Sequence, residues 1–307
     1  MRVSVVLIVI AAATLGACSR PGEQKTYSSP DAAVEALVQA AKSDDSSALL
    51  GVLGKESEPL IDSGDPVQDK NAREKFVQIY EKAHSLDKSV DGQVTLDIGD
   101  DKWPFPFPLL QKDGKWYFDA TEGAEELVNR RVGNNELATI QACLAFVDAE
   151  REYYERNPQQ EPLMQFAQKL VSTEGKKDGL YWEAAEGEDP SPLGEGFAKA
   201  RAEGYFQEGV VKGEPYHGYV YRLLTGQGPH ANGGAYSYMV GDKMLGGFAL
   251  LAYPAEYGTS GVMTFMVNHD GIVYSKELGA DTAKVAEAIE VFDPDDTWKR
   301  EADIKDQ

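Results

Sequence analysis

Cysteine is almost missing from this chain, which holds only Cys18 and Cys143. That excludes a disulfide framework, the device by which small secreted scaffolds make up for a thin core. Histidine is scarce too, at four residues, and no H-x-x-x-H or H-E-x-x-H spacing joins any of them. Positive charge is outweighed: 30 Lys and Arg face 51 Asp and Glu, for a formal net charge of −21. Nucleic-acid binding needs basic patches, and so does lying flat on anionic lipid, so both are excluded. A solvated acidic surface remains. No phosphate-binding glycine loop is present, because Gly226-x-Gly228 lacks the later Lys and the helix that must follow. Paired carboxylates are so common that no pair stands out as acid and base.

What is present begins at the N-terminus. Arg2 precedes the uncharged run Val3 to Ala17. It is short of the ~20 apolar residues of a transmembrane helix and fits the apolar core of a secretory signal. Its end, Leu15-Gly16-Ala17-Cys18, resembles the bacterial lipobox. That resemblance implies cleavage after residue 17 and lipidation of Cys18, which would leave Cys143 without a partner. Two or more acyl chains hold a protein stably at a membrane. Ser19 follows, and by resemblance to Gram-negative sorting a residue other than Asp there favours the outer membrane. The expected location is the cell envelope, facing the periplasm. Residues 18–28 read as a polar tether.

Beyond the tether the chain is long for one core, so two domains are expected, 29–129 and 130–299, with a tail at 300–307. Ser29-Pro30-Asp31 is a helix start, and Val34, Leu37, Val38 and Ala41 make its stripe. A short helix near Ser47 to Leu53 follows, then one from about Lys70 to His84 with Ala72, Phe76, Ile79, Tyr80 and Ala83 at helical spacing. The period then changes to two at Val94, Leu96 and Ile98, a strand. Trp103 to Pro108 alternates with proline and must be an edge or a covering loop. Leu109 to Phe118 is a hairpin around Asp113-Gly114. The aromatic set Trp103, Phe105, Phe107, Trp116 and Phe118 either lines a pocket or forms core.

The second half is organised around Gly246 to Gly279, three strands and two turns. Phe248–Tyr253 and Val262–Val267 are near-continuous apolar runs, as in a covered sheet. Asp270-Gly271 is expected to close a two-residue hairpin into Ile272–Ser275. A helix over Glu136–Tyr154 shows Leu137, Ile140, Leu144 and Val147 on one face, with Leu144 buried at mid-stripe. Thr121–Val128 is a separate short helix, and the boundary falls near Arg130. Short helices are expected near Leu163–Val171 and Leu193–Glu203, and strands over Gly218–Thr225 and Tyr236–Val240. A last helix, capped by Asp281, should carry Val285, Ile289 and Phe292 inward.

Three patterns were weighed as sites. Asn268, Asp270, Gly271 and Glu277 match part of an EF-hand loop, but its first ligand would be Met266 and its flanks are strands. Gly258-Thr259-Ser260-Gly261-Val262 departs from the nucleophile elbow at Val262 and precedes a strand, so Ser260 is a loop serine. His217, His230 and His269 all fall in turns or loops, without zinc spacing. No catalytic residue, metal ligand or cofactor is therefore assigned.

Helices followed by an aromatic sheet is the α+β order. The first half is similar to the cone-shaped fold of nuclear transport factor two and polyketide-cyclase relatives, which implies a sheet wrapped round a pocket. The second half, a helix, a variable middle, then GYVYRLL and GGFALLAYPAEYGTSGVMTFMVNHDGIVY, resembles the globular part of a type IV pilin or pseudopilin. Residues 130–156 lack the apolar start through which pilins polymerise, so filament formation is not carried over. Over roughly residues 28–298, DKWPFPFPLLQKDGKWYFD, NRRVGNNELATIQACLAFVDAEREYY, KKDGLYW, YHGYVYRLLTGQGP and GGFALLAYPAEYGTSGVMTFMVN resemble a bacterial domain-of-unknown-function family, number twenty-nine-fifty. That implies an envelope location and no known activity. The expectation is a non-enzymatic envelope lipoprotein serving protein interaction or assembly. The alternative is a small-molecule binder with an apolar pocket in the first half, and a hydrolase ranks third.

Overall fold

The computed structural model describes residues 24–88, 92–121, 123–207 and 213–301. The fold is α+β. Ser29 accepts a hydrogen bond from Ala32 N at 3.1 Å and starts α1 (Pro30–Lys42). Asp45 does the same at Ala48 N for α2 (Ser46–Leu53). A 3₁₀ turn at Lys55–Ser57 leads into α3 (Glu58–Ile61), neither of them foreseen in the sequence. The next helix, α4 (Pro66–Lys82), begins four residues earlier than its apolar stripe implies, because Asp65 caps Gln68 N at 3.0 Å and Pro66 takes the first helical position. It also stops earlier, and His84 opens a strand, β1 (His84–Asp87).

β1 pairs antiparallel with β2 (Gln93–Ile98). The other side of β2 takes β3 (Trp103–Pro104) and then β4 (Leu109–Lys112), which forms a hairpin with β5 (Lys115–Phe118). The prolines after Trp103 keep this pairing to two residues, at the sheet's margin. Val94, Leu96 and Ile98 face inward from β2 onto α1 and α2 and form the first large core cluster. Residues 24–28 belong to this body and are not a free tether: Tyr27 bridges Trp116, Lys25 N donates to Gly51 O at 2.8 Å, and the Gln24 amide donates to Val52 O and Phe118 O.

One continuous helix, α5 (Gly123–Arg156), replaces the two expected, and the boundary foreseen near Arg130 falls inside it. Gly133, Asn134 and Asn135 are poor helix formers, but tertiary bonds hold that turn. Arg131 donates to the carbonyls of Pro59, Leu60 and Thr259. Asn135 exchanges amide bonds with Gln68 and donates to Ser260 O at 2.9 Å.

After α6 (Gly194–Ala202) come β6 (Tyr219–Leu224), the pair β7 (Gly226–Gln227) and β8 (Tyr236–Ser237), and the pair β9 (Met239–Val240) and β10 (Lys243–Met244). Then follow β11 (Ala249–Pro254), β12 (Met263–Asn268), β13 (Val273–Glu277), α7 (Thr282–Glu287) and β14 (Lys299–Arg300). The main sheet is antiparallel in the order β14-β13-β12-β11-β6. It runs past the expected end at 299, since Glu301 N donates to Val273 O. Every residue of β11 is buried, so both sheet faces are covered there. On one face α5 packs against β11 and β12, and Ala142, Phe146 and Leu250 line a hollow between them. On the other face Met266 lies by Ala288 and Ile289, just after α7.

Several expectations are corrected. Leu137 is 53% exposed and Leu144 only half-buried; the inward face of α5 is Ile140, Cys143, Phe146 and Val147, and Phe146 meets Phe248 edge-on at 5.6 Å. Val285 is likewise exposed, and Thr282 and Ala286 are the buried residues of the short α7. No helix forms over Leu163–Val171. Its backbone donors are taken elsewhere, Phe166 N by Met244 O and Ala167 N by the Glu150 carboxylate. The β12–β13 connection is wider than a two-residue turn, because pairing ends at Val267 and Val273. Asn268 Oδ1 accepts from Asp270 N and its carbonyl from Gly271 N, so an Asx turn sets the width and Gly271 alone adopts positive φ.

Candidate functional site

The first core cluster is not fully packed. Asp69 is the only buried residue on α4, while Phe76, Ile79 and Tyr80 stay half-buried. Beneath them lies a cavity of about 520 Å³, within the size range of small-molecule sites. α1 and α2 supply Leu37, Ala41, Leu49 and Leu53, α3 supplies Leu60 and Ile61, and β2 supplies Ile98. The opposite wall is Trp103, Phe105, Pro106 and Phe107, with Leu127 of α5. Of the five aromatic residues singled out in the sequence, Trp103, Phe105 and Phe107 line the space. Phe118 sits behind Phe105, ring centroids 6.1 Å apart and edge-on, and Trp116 faces Tyr27 across the backbone bridge. The α3 contribution was missed because Lys55 to Ile61 has too few apolar residues to show a period.

The ionisable side chains of the lining are Asp69, Arg73 and Lys75, all from α4. Asp69 Oδ2 accepts from Ser63 N at 2.9 Å, and Arg131 stands 3.8 Å from its other oxygen. Burial nevertheless raises the Asp69 pKa, against the pull of Ser63, Arg131 and Arg73. Arg73 is tied to Asp44 through Nε at 2.8 Å and Nη2 at 2.6 Å. Lys75 has no ionic partner among the described residues. The most exposed lining residues are Ala72 and Lys75 on α4 and Trp103 of β3, which places them at the cavity's solvent side. The lining holds no Ser, Thr, Cys or His; its polar groups are Asp69, whose carboxyl pKa burial raises, and the cations Arg73 and Lys75, set in an otherwise apolar enclosure.

The other residues weighed in the sequence lie elsewhere. Ser260 is fully buried: its hydroxyl donates to Glu256 O at 3.0 Å and accepts from Glu256 N at 2.9 Å, closing its own loop. Ser260 is thus the loop serine expected, but a buried one. Removing the hydroxyl would lose both bonds to the Glu256 backbone, at about 0.5–1.5 kcal/mol each. Cys143 is free and buried, and burial pushes its thiol up to about 12, so it behaves as a small hydrophobe. His217 pairs with Glu203 at 3.1 Å and His230 with Asp293 at 3.0 Å, while His269 lies edge-on to Tyr238. The three are held by separate partners. Of the EF-like set, Glu277 accepts from the Tyr257 hydroxyl, and Asn268 and Met266 are buried. Cys18, residues 1–17 and the tether as far as residue 23 lie outside the described residues.

The molecule is thus an α+β protein with a rimmed apolar cavity in its first core cluster. The chain belongs to the family described as protein of unknown function DUF2950, whose model matches residues 24–301. No curated protein and no solved structure matches it.

Proposed function

We propose that this chain is a lipid-anchored protein of the bacterial cell envelope that binds an apolar small molecule, without catalysis, in the cavity beneath α4. The observation that carries the binding role is the cavity itself: about 520 Å³, walled by Leu, Ile and Phe and opening beside Trp103. The envelope location rests on the signal-like run ending at Cys18, with the outer membrane favoured by Ser19. The acidic chain, at −21, supports anchoring by acyl groups over binding by basic residues. The cavity is what supports the binder over the pure interaction or assembly reading. That second reading draws support from Leu163, Met164 and Val240, exposed at 54%, 41% and 61%. α5 laid on the antiparallel meander is what supports a pilin-like second half.

Two experiments test the proposal. Cys18→Ala should abolish incorporation of an alkyne-tagged palmitate in cells; retained label on the variant would sink the anchor. In solution, the neutral probe N-phenyl-1-naphthylamine should brighten on binding the protein. Ala72→Trp, an exposed helical position at the opening, should suppress that signal at least about tenfold while leaving the fold intact, because a Trp there fills the mouth. Equal brightening in both proteins would remove the cavity as the binding site.

A further inference from the structure

We infer that the cavity's ligand is a single-chain amphiphile with an anionic head, its hydrocarbon enclosed and its head at Lys75. This rests on the cavity being a binding site and goes beyond it in naming what binds.

The walls decide the tail. Apart from Asp69, the side chains facing the space deep in the cluster are aliphatic or aromatic, among them Leu37, Leu53, Ile61 and Phe107. A head group buried there would lose its water without a partner, which is costly for any charge. Asp69 is already engaged within the fold, accepting from Ser63 N at 2.9 Å and facing Arg131 at 3.8 Å, so it is not a free partner for a ligand's head group. A hydrocarbon chain is the occupant these walls suit.

The rim decides the head. In a chain with 51 acids and 30 bases, the opening carries Lys75 without an ionic partner among the described residues. Arg73 lies two residues earlier, turned to another face of the helix, with Asp44 as its counter-ion. Trp103, 43% exposed, gives the opposite lip an amphipathic ring of the kind found where apolar and aqueous regions meet. A carboxylate or phosphate fits this lip, and a cationic head does not.

Position favours a membrane-derived source. Gln24 is pinned to Val52 O and Phe118 O, and a Cβ on Gly54 would lie 3.2 Å from its side chain. Gly54 follows Leu53, which lines the cavity. Residues 18–23 can span at most about 21 Å, so an anchor at Cys18 keeps this cluster near the lipid headgroups.

The test uses the complete mature chain, residues 18–307, carrying Cys18→Ser so that its own acyl groups do not compete. Octanoate, dodecanoate, tetradecanoate, tetradecanol, tetradecyl-trimethylammonium and myristoyl-lysophosphatidate are titrated below their micelle concentrations. Binding is read by calorimetry and by hydrogen exchange of residues 66–82. Affinity should rise about fourfold per methylene along the carboxylate series, with slowed exchange in α4. Tetradecanoate or lysophosphatidate should bind about fivefold more tightly than tetradecanol, and Lys75→Glu should erase that preference without weakening the alcohol. The tighter of the two anions identifies a free acid or a phospholipid fragment as the source. If alcohol and anions bind alike and Lys75→Glu changes nothing, or if the ammonium binds best, the inference is overturned while the binding site stands. If no chain binds and α4 exchange never changes, the binding role itself fails.

Discussion

Asp65→Ala is expected to lower the unfolding free energy by about 3–5 kcal/mol. Asp65 is fully buried, and its carboxylate has three donors from three parts of the chain. Gln68 N donates at 3.0 Å, capping α4; Tyr205 OH donates at 2.9 Å and Gly218 N at 2.8 Å. Loss of the cap alone costs about 1 kcal/mol. The other two donors would be left buried and unpaired, at about 1–3 kcal/mol each. The space around them cannot rearrange easily. Gly218 has φ +76, and a Cβ there would come within 2.4 Å of the Asn135 amide nitrogen, so backbone and side chain are already in close approach. Asp65→Asn, which retains an acceptor, should cost less than the alanine. Urea unfolding of the three proteins decides it, and a loss below about 1 kcal/mol for the alanine would show that this junction is not a single stability element.

The junction also shows where sequence reading stops. Ser29-Pro30-Asp31 announces α1 because cap, proline and apolar stripe coincide within one turn. Asp65-Pro66 carries the same start signal, yet its stripe begins only at Ala72, so periodicity places α4 late. The reason is physical: the first turn of α4 faces a polar junction, and its buried residue is Asp69. The break foreseen at Arg130 has the same origin. Gly133-Asn134-Asn135 is a poor helix by propensity, but Arg131 and Asn135 each find distant acceptors that no local rule contains.

The strands on either side of Gly271 were legible because apolar runs bounded by turn residues are local signals, while the width of the turn, set by the Asn268 side chain, was not. The stripe of α1 was legible in period and phase, since Val34, Leu37, Val38 and Ala41 are all buried; those of α5 and α7 were right only in part. Leu137 and Val285 look like core by spacing, but the sheet meets α5 and α7 one residue round, at Cys143 and Ala286. For the cavity, the aromatic wall at Trp103, Phe105 and Phe107 stood out in the sequence. The facing walls did not, since a stripe such as Phe76 and Ile79 looks the same whether it meets core or space. Lys75 carried no signal, because a lone lysine gains meaning only from the opening beside it.

Glu150→Gln is expected to stabilise the protein, and to do so more the higher the pH. Glu150 lies on α5, fully buried, with Oε2 accepting from Ala167 N at 2.8 Å and Oε1 without a partner among the described residues. Burial raises its pKa well above the ordinary 4.5, and the Ala167 bond only partly opposes this. A carboxyl whose folded pKa is raised stabilises the fold fully below its unfolded pKa, and that contribution is lost as pH rises toward the folded value. Through that window the unfolded chain has shed a proton that the folded chain keeps. Each pH unit then costs about 1.4 kcal/mol. Glutamine has nearly the same shape, keeps an acceptor for Ala167 N and has no proton to lose. Wild type and variant should therefore differ little with pH below about pH 4, where the Glu150 carboxyl is mostly protonated in both states. Above that the variant should pull ahead as pH rises, at up to about 1.4 kcal/mol per pH unit, until Glu150 ionises within the fold. Urea denaturation across that range measures the difference directly, and the titrations common to both proteins cancel in it. Parallel stability curves would mean that Glu150 ionises inside the fold as readily as outside it, and that a counter-charge or water reaches Oε1. A variant less stable at every pH would mean that the ionised carboxylate is itself a structural partner of Ala167.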